Sequence, residues 1–328
     1  MRRSIAAVAV TSSVALLVTP GTVHSQPSPA FPGKTVTLVV PFTPGSGSDV
    51  IARIIAPRLS ARWGQSVIVD NKPGASGNLG GSYVAKAAPD GLTLLVTADS
   101  FTMAPAIYKN MPYDPVKDFA PVVQVAETSY AFAVNPAVPA KDLNSLVSYL
   151  KKNPGVVNYA SPGNGTPHHL AMEMFKTKSG LDILHVPYKG ISGALTDLMD
   201  GQVQLMIGSV NSLVPYAASG KLRLLAITGA ARSPLVPDVA TFREQGMETM
   251  DGGNAYYLVL APSRTPPELV ARLNSDISAV MNASDVKAEL LKLGMTVRTA
   301  SSAQLGSSLK NDLARWRKVV ADAGITAD

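Results

Sequence analysis

The most informative segment of this chain reads Thr35-Val-Thr-Leu-Val-Val-Pro-Phe-Thr-Pro-Gly-Ser-Gly-Ser-Asp49. Its first six residues are almost continuously apolar, which is typical of a strand buried on both faces of a sheet. A glycine-containing turn follows, and residues 49–63 carry apolar side chains at helical spacing. A strand, such a turn and a helix start together aim unpaired backbone N–H groups at one point, which favours a bound anion.

A second segment repeats this arrangement far along the chain: Tyr159-Ala-Ser-Pro-Gly-Asn-Gly-Thr166. It lies between a predicted strand at 157–160 and a predicted helix at 170–178. Gly163 and Gly165 are flexible, Asn164 tolerates the left-handed conformation, and Thr166 can cap the helix. We call residues 41–49 the first glycine turn and residues 159–166 the second. Together they predict a cleft that closes on a carboxylate from two sides.

Strand-like and helix-like patterns alternate through the rest of the chain, which predicts an α/β protein. The pattern of the first third resumes near residues 256–260, so we expect discontinuous domains. Residues 26–130 and 255–328 are expected to form the first lobe, and residues 131–254 the second. The chain then crosses between lobes twice, and two crossings act as a hinge. Pro57 is expected to kink or end the helix at 49–63.

The N-terminus predicts export. Arg2 and Arg3 precede an apolar stretch at 5–18 that is too short to span a membrane. Val23 and Ser25 are small residues at the positions that a signal peptidase reads, so we expect a signal peptide at 1–25 that is cleaved before Gln26. The remaining 328 − 25 = 303 residues are sufficient for two domains.

The composition narrows the possible functions. The formal net charge is +6, or +4 without the two signal arginines, and the basic residues form no dense stripe of the kind that binds nucleic acid. The chain contains no cysteine, which excludes disulfides and zinc–thiolate sites. His168 and His169 are adjacent rather than four residues apart, unlike a helical zinc pair. We therefore expect neither a metal nor another cofactor.

Two enzyme classes remain as alternatives. Gly45-Ser-Gly47 begins a dinucleotide-binding fingerprint and Asp70 stands where a ribose-binding acid would, but Val50 occupies the third glycine position. These features leave a dinucleotide-dependent oxidoreductase open. A secreted serine hydrolase is also open, although no serine is framed as G-x-S-x-G and nothing local supports a triad of His169 with Asp99 or Asp182. A third interpretation gives both glycine turns a purely structural role.

Further motifs join the two glycine turns in a characteristic order: Val69-Asp-Asn-Lys-Pro-Gly-Ala75, Ala85-Lys-Ala-Ala-Pro-Asp-Gly91, Pro112-Tyr-Asp-Pro-Val-Lys-Asp-Phe-Ala-Pro121 and His185-Val-Pro-Tyr-Lys-Gly190. This series resembles the Bug-type, TctC-like receptors of tripartite tricarboxylate transporters, over essentially residues 31–328. The resemblance implies a two-lobed, type II-like Venus-flytrap fold with two crossing segments. It also implies a monomeric, non-catalytic periplasmic protein. Such a protein passes a small organic acid (a dicarboxylate, a tricarboxylate or an aromatic acid) to a membrane permease.

The resemblance also assigns the ligand-binding residues. They come from both glycine turns and from neighbouring strand ends: Phe42, Thr43, Gly45, Ser46, Gly47, Ser100, Ser161, Gly163, Asn164, Gly165, Thr166, His169, Tyr188, Ser209 and Asn211. Asp49 is expected to cap the first helix, because a carboxylate facing a bound carboxylate would repel it. Gly208 and Ser209 stand where an aspartate is common in that family, which favours a plain carboxylate over an amino acid as the ligand.

Overall fold

A computed structural model describes residues 31–247 and 254–323. The predicted signal peptide at 1–25 and its cleavage site lie outside these residues. In chain order the elements are β1 (Val36–Val40), α1 (Gly47–Trp63), β2 (Val67–Asn71), a short 3-10 helix (Ala75–Gly77), α2 (Asn78–Ala85), β3 (Thr93–Ala98), α3 (Ser100–Ile107), β4 (Phe119–Thr128), β5 (Tyr130–Val134), α4 (Leu143–Lys152), β6 (Asn158–Ser161), α5 (Pro167–Ser179), β7 (Leu184–Pro187), α6 (Ile191–Met199), β8 (Leu205–Ser209), α7 (Val210–Ala218), β9 (Arg223–Ile227), β10 (Ala255–Pro262), α8 (Pro267–Met281), α9 (Ser284–Lys292), β11 (Thr296–Val297) and α10 (Ser302–Ala323). No helix in this part of the chain is both long and apolar enough to cross a membrane.

Two sheets form the cores of two lobes, which confirms the predicted α/β fold. The sheet of the first lobe has the order β11-β4-β10-β3-β1-β2, and that of the second has the order β7-β6-β8-β5-β9. In the first sheet, β1 pairs in parallel with β2 and β3, and a strand from later in the chain pairs antiparallel with β3. In the second sheet, β6 pairs in parallel with β7 and β8, and a strand from earlier in the chain pairs antiparallel with β8. The antiparallel strands are β10, which pairs with β3 and β4, and β5, which pairs with β8 and β9.

The strands change sheet at two places. Thr128 ends β4 in the first sheet and Tyr130 begins β5 in the second, and the chain is back in the first sheet at Ala255. Residues 256–260 therefore lie in β10, a strand of the first sheet. The exact lobe limits at 130/131 and 254/255 stay predictions.

Helix α1 does not end at Pro57, so the expected helix end there was wrong, and a kink at Pro57 stays a prediction. The helix continues to Trp63 and ends at Gly64, whose φ of 65° is the left-handed conformation that terminates helices. Buried apolar residues on both sides of the proline, Ile55 and Leu59 among them, hold both halves of the helix against the sheet. This packing outweighs the loss of one backbone hydrogen bond.

The C-terminal helix carries an apolar stripe at helical spacing. Leu305, Leu309, Leu313, Trp316 and Val320 are all buried in α10. Its end packs in a cluster that includes Met103 and Ile107 of α3 in the first lobe and Leu170 of α5 in the second. This helix therefore packs against a helix of each lobe, α3 in the first and α5 in the second.

Candidate functional site

Six helices begin at one cavity of about 470 Å³. Its lining includes a residue at the N-terminal end of each, namely Gly47 of α1, Gly77 before α2, Ser100 of α3, Pro167 of α5, Ile191 of α6 and Ser209 before α7. A helix N-terminus presents backbone N–H groups without partners inside the helix and the positive end of the helix dipole. On these grounds the cavity attracts negatively charged groups.

The cavity lies between the two sheets. The first lobe contributes Pro41 after β1 and Ala98 at the end of β3, and the second contributes Pro162 after β6 and Ser209 at the end of β8. All four residues stand at or just after the carboxyl ends of strands. This is where α/β sheets ordinarily bind ligands.

The first glycine turn has a different cap from the one expected. Ser46 is the N-cap of α1, and its Oγ accepts a hydrogen bond from the Asp49 N–H at 3.3 Å. Asp49 stands inside the helix, where its carboxylate accepts from the Gly45 N–H at 2.8 Å, from Arg53 Nε at 3.0 Å and from Asn71 Nδ2 at 2.9 Å. Burial alone would raise the pKa of Asp49, but these hydrogen bonds lower it. Asp49 thus stabilises the turn from behind and does not line the cavity.

Gly47 allows the first glycine turn to approach strand β10. A Cβ atom at this position would overlap the hydroxyl and ring of Tyr257. Tyr257 itself lines the cavity, so the close approach sets the width of the cavity at that point.

The second glycine turn is held by hydrogen bonds within itself. Thr166, the N-cap of α5, accepts from the His169 N–H at 3.4 Å and donates from Oγ1 to the Gly163 carbonyl at 2.8 Å. The Ser161 hydroxyl also contacts Gly163, and the Gly165 N–H donates to His169 Nδ1 at 3.1 Å. These bonds set the direction of the backbone that faces the cavity.

Three stacked rings support this turn from behind. The rings of His169 and His185 lie 4.2 Å apart and nearly parallel, and Tyr159 stacks on His185 at 4.6 Å. Burial lowers the pKa of His169, and it lowers that of His185 to about 4. Both imidazoles are therefore neutral near neutral pH. A neutral ring lets His169 Nδ1 accept the Gly165 N–H.

Eleven of the fifteen predicted ligand-binding residues line the cavity: Phe42, Thr43, Gly45, Ser46, Gly47, Ser100, Gly163, Asn164, Thr166, Tyr188 and Ser209. Four do not: Ser161, Gly165, His169 and Asn211. His169 belongs to the ring stack, Ser161 hydrogen-bonds to His185 of that stack, and Gly165 packs against Ile107 and Tyr108. Asn211 lies against Gly294. That any of the fifteen contacts a ligand stays a prediction.

His168, rather than His169, lines the cavity. Adjacent helical residues point about 100° apart, so one of two neighbouring histidines faces the cleft and the other faces back. Burial lowers the pKa of His168 to about 4, so it is neutral near neutral pH. Its ring meets that of Tyr130 edge-on, with the ring centroids 5.5 Å apart.

Unpartnered polar atoms concentrate at the cavity. Among the described side chains, five buried polar atoms have no hydrogen-bond partner, and three of them belong to lining residues: Ser48 Oγ, Ser100 Oγ and His168 Nδ1. Buried polar atoms are almost always hydrogen-bonded in native proteins. Their concentration here is the pattern expected of a site that binds a polar ligand or ordered water.

The sequence suggested Asp99 only as a partner of His169 in a hydrolase triad and did not place it among the ligand-binding residues. This residue follows β3, is 2% exposed and lines the cavity. The Tyr130 hydroxyl donates to both of its carboxylate oxygens, at 3.1 Å and 2.9 Å. Burial raises the pKa of Asp99 to about 7, although the hydrogen bond from Tyr130 opposes the shift. Its place directly after the buried strand β3 could have pointed to it. The sequence pattern did not predict α3, however, so it did not show that Asp99 stands between a strand and a helix start.

A contact across the cleft joins the two lobes. The Ser76 hydroxyl, from the loop before α2, donates to the Asn164 carbonyl of the second glycine turn at 2.9 Å and contacts the Tyr108 hydroxyl at 3.0 Å. Ser76 and its neighbour Ala75 have φ angles of 53° and 47°, in the left-handed region. The loop therefore holds a costly backbone conformation at the point where it reaches the other lobe.

Sequence comparison agrees with this geometry. Residues 51–325 match the family model described as "Tripartite tricarboxylate transporter family receptor", TctC. The chain belongs to this receptor family. The resemblance to Bug-type, TctC-like receptors is thereby confirmed.

Three relatives illustrate the similarity of this TctC-family chain to known proteins. Protein BugT of Bordetella pertussis is 31% identical over 310 residues, which cover 94% of this chain and 95% of BugT. Rpa4515 of R. palustris, solved with adipate, is 36% identical with a TM-score of 0.85, covering 90% of this chain and 99% of that one. MatC of Rhodopseudomonas palustris, solved with bound malate, is 34% identical with a TM-score of 0.82, covering 88% and 100%.

The geometry gives little support to catalysis by this TctC-family chain. Ser161 Oγ and His185 Nε2 lie 2.7 Å apart, but neither residue lines the cavity. Within the described part of the chain, no carboxylate hydrogen-bonds to His185, and a pKa of about 4 makes His185 a weak base. Asp70, the expected ribose-binding acid, pairs with Lys72 at 2.9 Å outside the cavity. Among the described residues, no three histidine, aspartate or glutamate side chains are arranged to hold a metal ion.

Proposed function

We propose that this receptor captures a small organic carboxylate in the cavity between its lobes and delivers it to a membrane permease. One observation carries the proposal, namely the convergence of six helix N-termini on a single cavity. Four of these ends, at α2, α3, α6 and α7, have no side-chain N-cap. Some N–H groups there, among them those of Leu79, Ser100 and Val210, have acceptors within the protein, and the other N–H groups of these first turns remain for a ligand. Free backbone donors and aligned dipoles are suited to a carboxylate.

The class of ligand follows from the same cavity and from the relatives. Adipate, which is present with Rpa4515, and malate, which is bound to MatC, are linear dicarboxylates. A cavity of about 470 Å³ has room for acids of this size, for a tricarboxylate or for an aromatic acid. We extend the class of small organic acids to this chain.

The proposed contacts are the eleven predicted residues that line the cavity. The ligand carboxylate docks on the second glycine turn around Gly163, Asn164 and Thr166, and the first glycine turn closes over the other end. Ser161, Gly165 and His169 act indirectly, by holding the backbone of the second turn. The closed form is stabilised by its contacts with the ligand, and the permease recognises that form.

The proposal also covers the cellular location and the oligomeric state of the protein. Residues 1–25 direct export to the periplasm, and the mature protein acts there as a monomer without catalytic activity. Size-exclusion chromatography with light scattering tests the monomer, and mass spectrometry of the exported protein tests cleavage before Gln26.

A thermal-shift screen tests the ligand class. The 26–328 protein, refolded to remove any co-purified ligand, is screened against organic acids, each paired with its uncharged amide. A ligand at 100 times its Kd stabilises the native state by about 2.7 kcal/mol, which raises the Tm by several degrees. We expect a shift with one class of acid and none with the amides. The proposal would be refuted if only a dinucleotide shifted the Tm, or if no acid shifted it.

A further inference from the structure

Asp99 is the exception in a cavity lined mostly by hydrogen-bond donors. The helix ends supply N–H groups, and Ser46, Ser48 and Ser100 supply hydroxyls. Asp99 instead brings a carboxylate, a group that accepts hydrogen bonds and repels anions. A ligand that carried only carboxylates would have no group to offer it.

The carboxylate of Asp99 retains unused hydrogen-bonding capacity. A carboxylate offers about four acceptor positions. The Tyr130 hydroxyl has a single proton, which both oxygens of Asp99 share, and the Ser100 backbone N–H is a second donor. Asp99 is nonetheless almost fully buried, so water cannot freely satisfy the remaining positions. Asp99 lines the cavity, so a ligand bound there lies next to this carboxylate.

The charges around Asp99 leave its own charge largely uncompensated. The Arg315 guanidinium, which favours the charged form of Asp99, pairs with Asp312 at 3.1 Å. Asp312 accepts from the Tyr256 hydroxyl at 2.7 Å and adds like charge near Asp99. Burial, the largest effect, raises the pKa of Asp99 to about 7. A cation or a strong donor brought by a ligand would therefore be favourable here.

We propose that Asp99 selects ligands that carry a hydroxyl or a protonated amine beside their carboxylate, which makes hydroxy acids and amino acids the preferred class. The inference rests on the proposed carboxylate-binding function and narrows it. The carboxylate binds the helix N-termini, and the donor on the neighbouring carbon skeleton binds Asp99. A second ligand carboxylate placed against Asp99 would add like charge in a buried site, which disfavours plain diacids there.

This inference differs from the expectation drawn from Gly208 and Ser209. Those positions lack an acidic side chain, which favoured a plain carboxylate. Asp99 reaches the same cavity from the other lobe, at the end of β3. An acceptor is thus present, although it comes from a different strand.

Matched sets of acids test the proposal. Each set differs only in hydrogen, hydroxyl or ammonium at one carbon: propionate, lactate and alanine; succinate, malate and aspartate; glutarate, 2-hydroxyglutarate and glutamate; phenylacetate, mandelate and phenylglycine. Affinities are measured by calorimetry on the 26–328 protein at pH 8.5, because the pKa of Asp99 is raised to about 7 and its carboxylate is charged only above that pH. A hydrogen bond to a charged group predicts that a donor-bearing member binds about tenfold or more tightly than its parent acid.

The variant Asp99→Asn separates selection from positioning. Asparagine still accepts from Tyr130 but lacks the charge, so the preference for the donor-bearing acid over its parent acid should fall by about fivefold or more. Asp182→Asn, which removes one charge from an exposed position, is the matched control and should leave every ratio unchanged. If Asp99→Asn does not fold, the ratios within each set for the wild-type protein still decide the question.

Each outcome has a distinct meaning. Tightest binding of an unsubstituted parent acid would overturn the selection by Asp99 and leave the carboxylate receptor intact. An unchanged ratio in Asp99→Asn would assign the preference to other residues and also overturn the inference. Binding of no acid in any set would overturn the proposed function and this inference together.

Discussion

The hydroxyl of Ser76 donates a hydrogen bond to the carbonyl oxygen of Asn164 at 2.9 Å, and this bond links the first lobe to the second glycine turn across the cleft. Both residues also line the cavity. The bond can form only when the lobes are close, so it contributes to the closed form that holds a ligand.

Replacing Ser76 with alanine should weaken ligand binding. A neutral hydrogen bond contributes about 1 kcal/mol, so the Kd should rise about fivefold, and small-angle X-ray scattering should show a larger radius of gyration without ligand. Ser219→Ala removes a comparable hydroxyl-to-carbonyl bond, to Tyr216 at 3.1 Å, and serves as the control. An unchanged Kd and radius would mean that the contact does not hold the lobes together.

Thr166→Ala should reduce both affinity and stability. The hydroxyl caps α5 and fixes Gly163, so its removal should cost about 1 kcal/mol of unfolding free energy and raise the Kd about tenfold. Thr166→Ser keeps the hydroxyl and should retain most of both properties. Urea unfolding and calorimetry measure the two effects. Equal affinities for the alanine variant and the wild-type protein would argue against a ligand at the second glycine turn.

His168 should make the protein less stable in mild acid. Its pKa is about 4 in the folded protein and 6.5 ordinarily, so the unfolded chain binds more protons between these values and stability falls as the pH falls. From pH 6.5 to about pH 5, this residue alone should cost about 1.5 kcal/mol. His185 acts in the same direction. Asp99, whose folded pKa is raised to about 7, acts in the opposite one.

The variant His168→Gln isolates this contribution, because His185 and Asp99 remain in both proteins. Urea unfolding across that pH range measures the unfolding free energies of the wild-type protein and the variant. As the pH falls, the wild-type protein should lose stability relative to the variant, so that any advantage it has shrinks or reverses. A difference independent of pH would show that His168 titrates normally.

Gly47→Ala should destabilise the protein, because the added methyl group would overlap Tyr257. Overpacking of this kind costs about 1–3 kcal/mol, and the affected contact lies at the cavity. Gly33→Ala is the control, since a Cβ there meets nothing within 4 Å. The unfolding free energies of the two variants are compared with that of the wild-type protein. Equal stability would imply that Tyr257 shifts aside at little cost.

Local sequence patterns predicted the parts of this site whose partners are close along the chain. The apolar run before Pro41 and the glycines after it indicated β1, the first glycine turn and α1, and a similar pattern indicated β6, the second glycine turn and α5. Within these turns, Ser46 and Thr166 bond to residues only three positions away. Short-range signals of this kind depend on backbone propensity and capping, which the sequence carries directly.

Other features depended on contacts between distant residues, and sequence patterns missed them. Helices α3 and α7 begin at the cavity but contain prolines and lack a side-chain cap, so nothing local marked them. The pattern also could not say which of two adjacent histidines faces the cleft. Asp99 is recognisable as part of the site only in the folded protein, where Tyr130 of the second sheet lies within hydrogen-bonding distance of it.

The amino-acid sequence by itself determined the alternation of strands and helices, the two glycine turns and the family, because each depends on residues that are neighbours in the chain or on their order. Only the tertiary structure decided that six helix starts share one cavity, that Ser76 reaches Asn164, and that a buried carboxylate faces the ligand space. Those relationships arise when the two sheets pack on either side of the cleft, and no stretch of neighbouring residues encodes the distances between them.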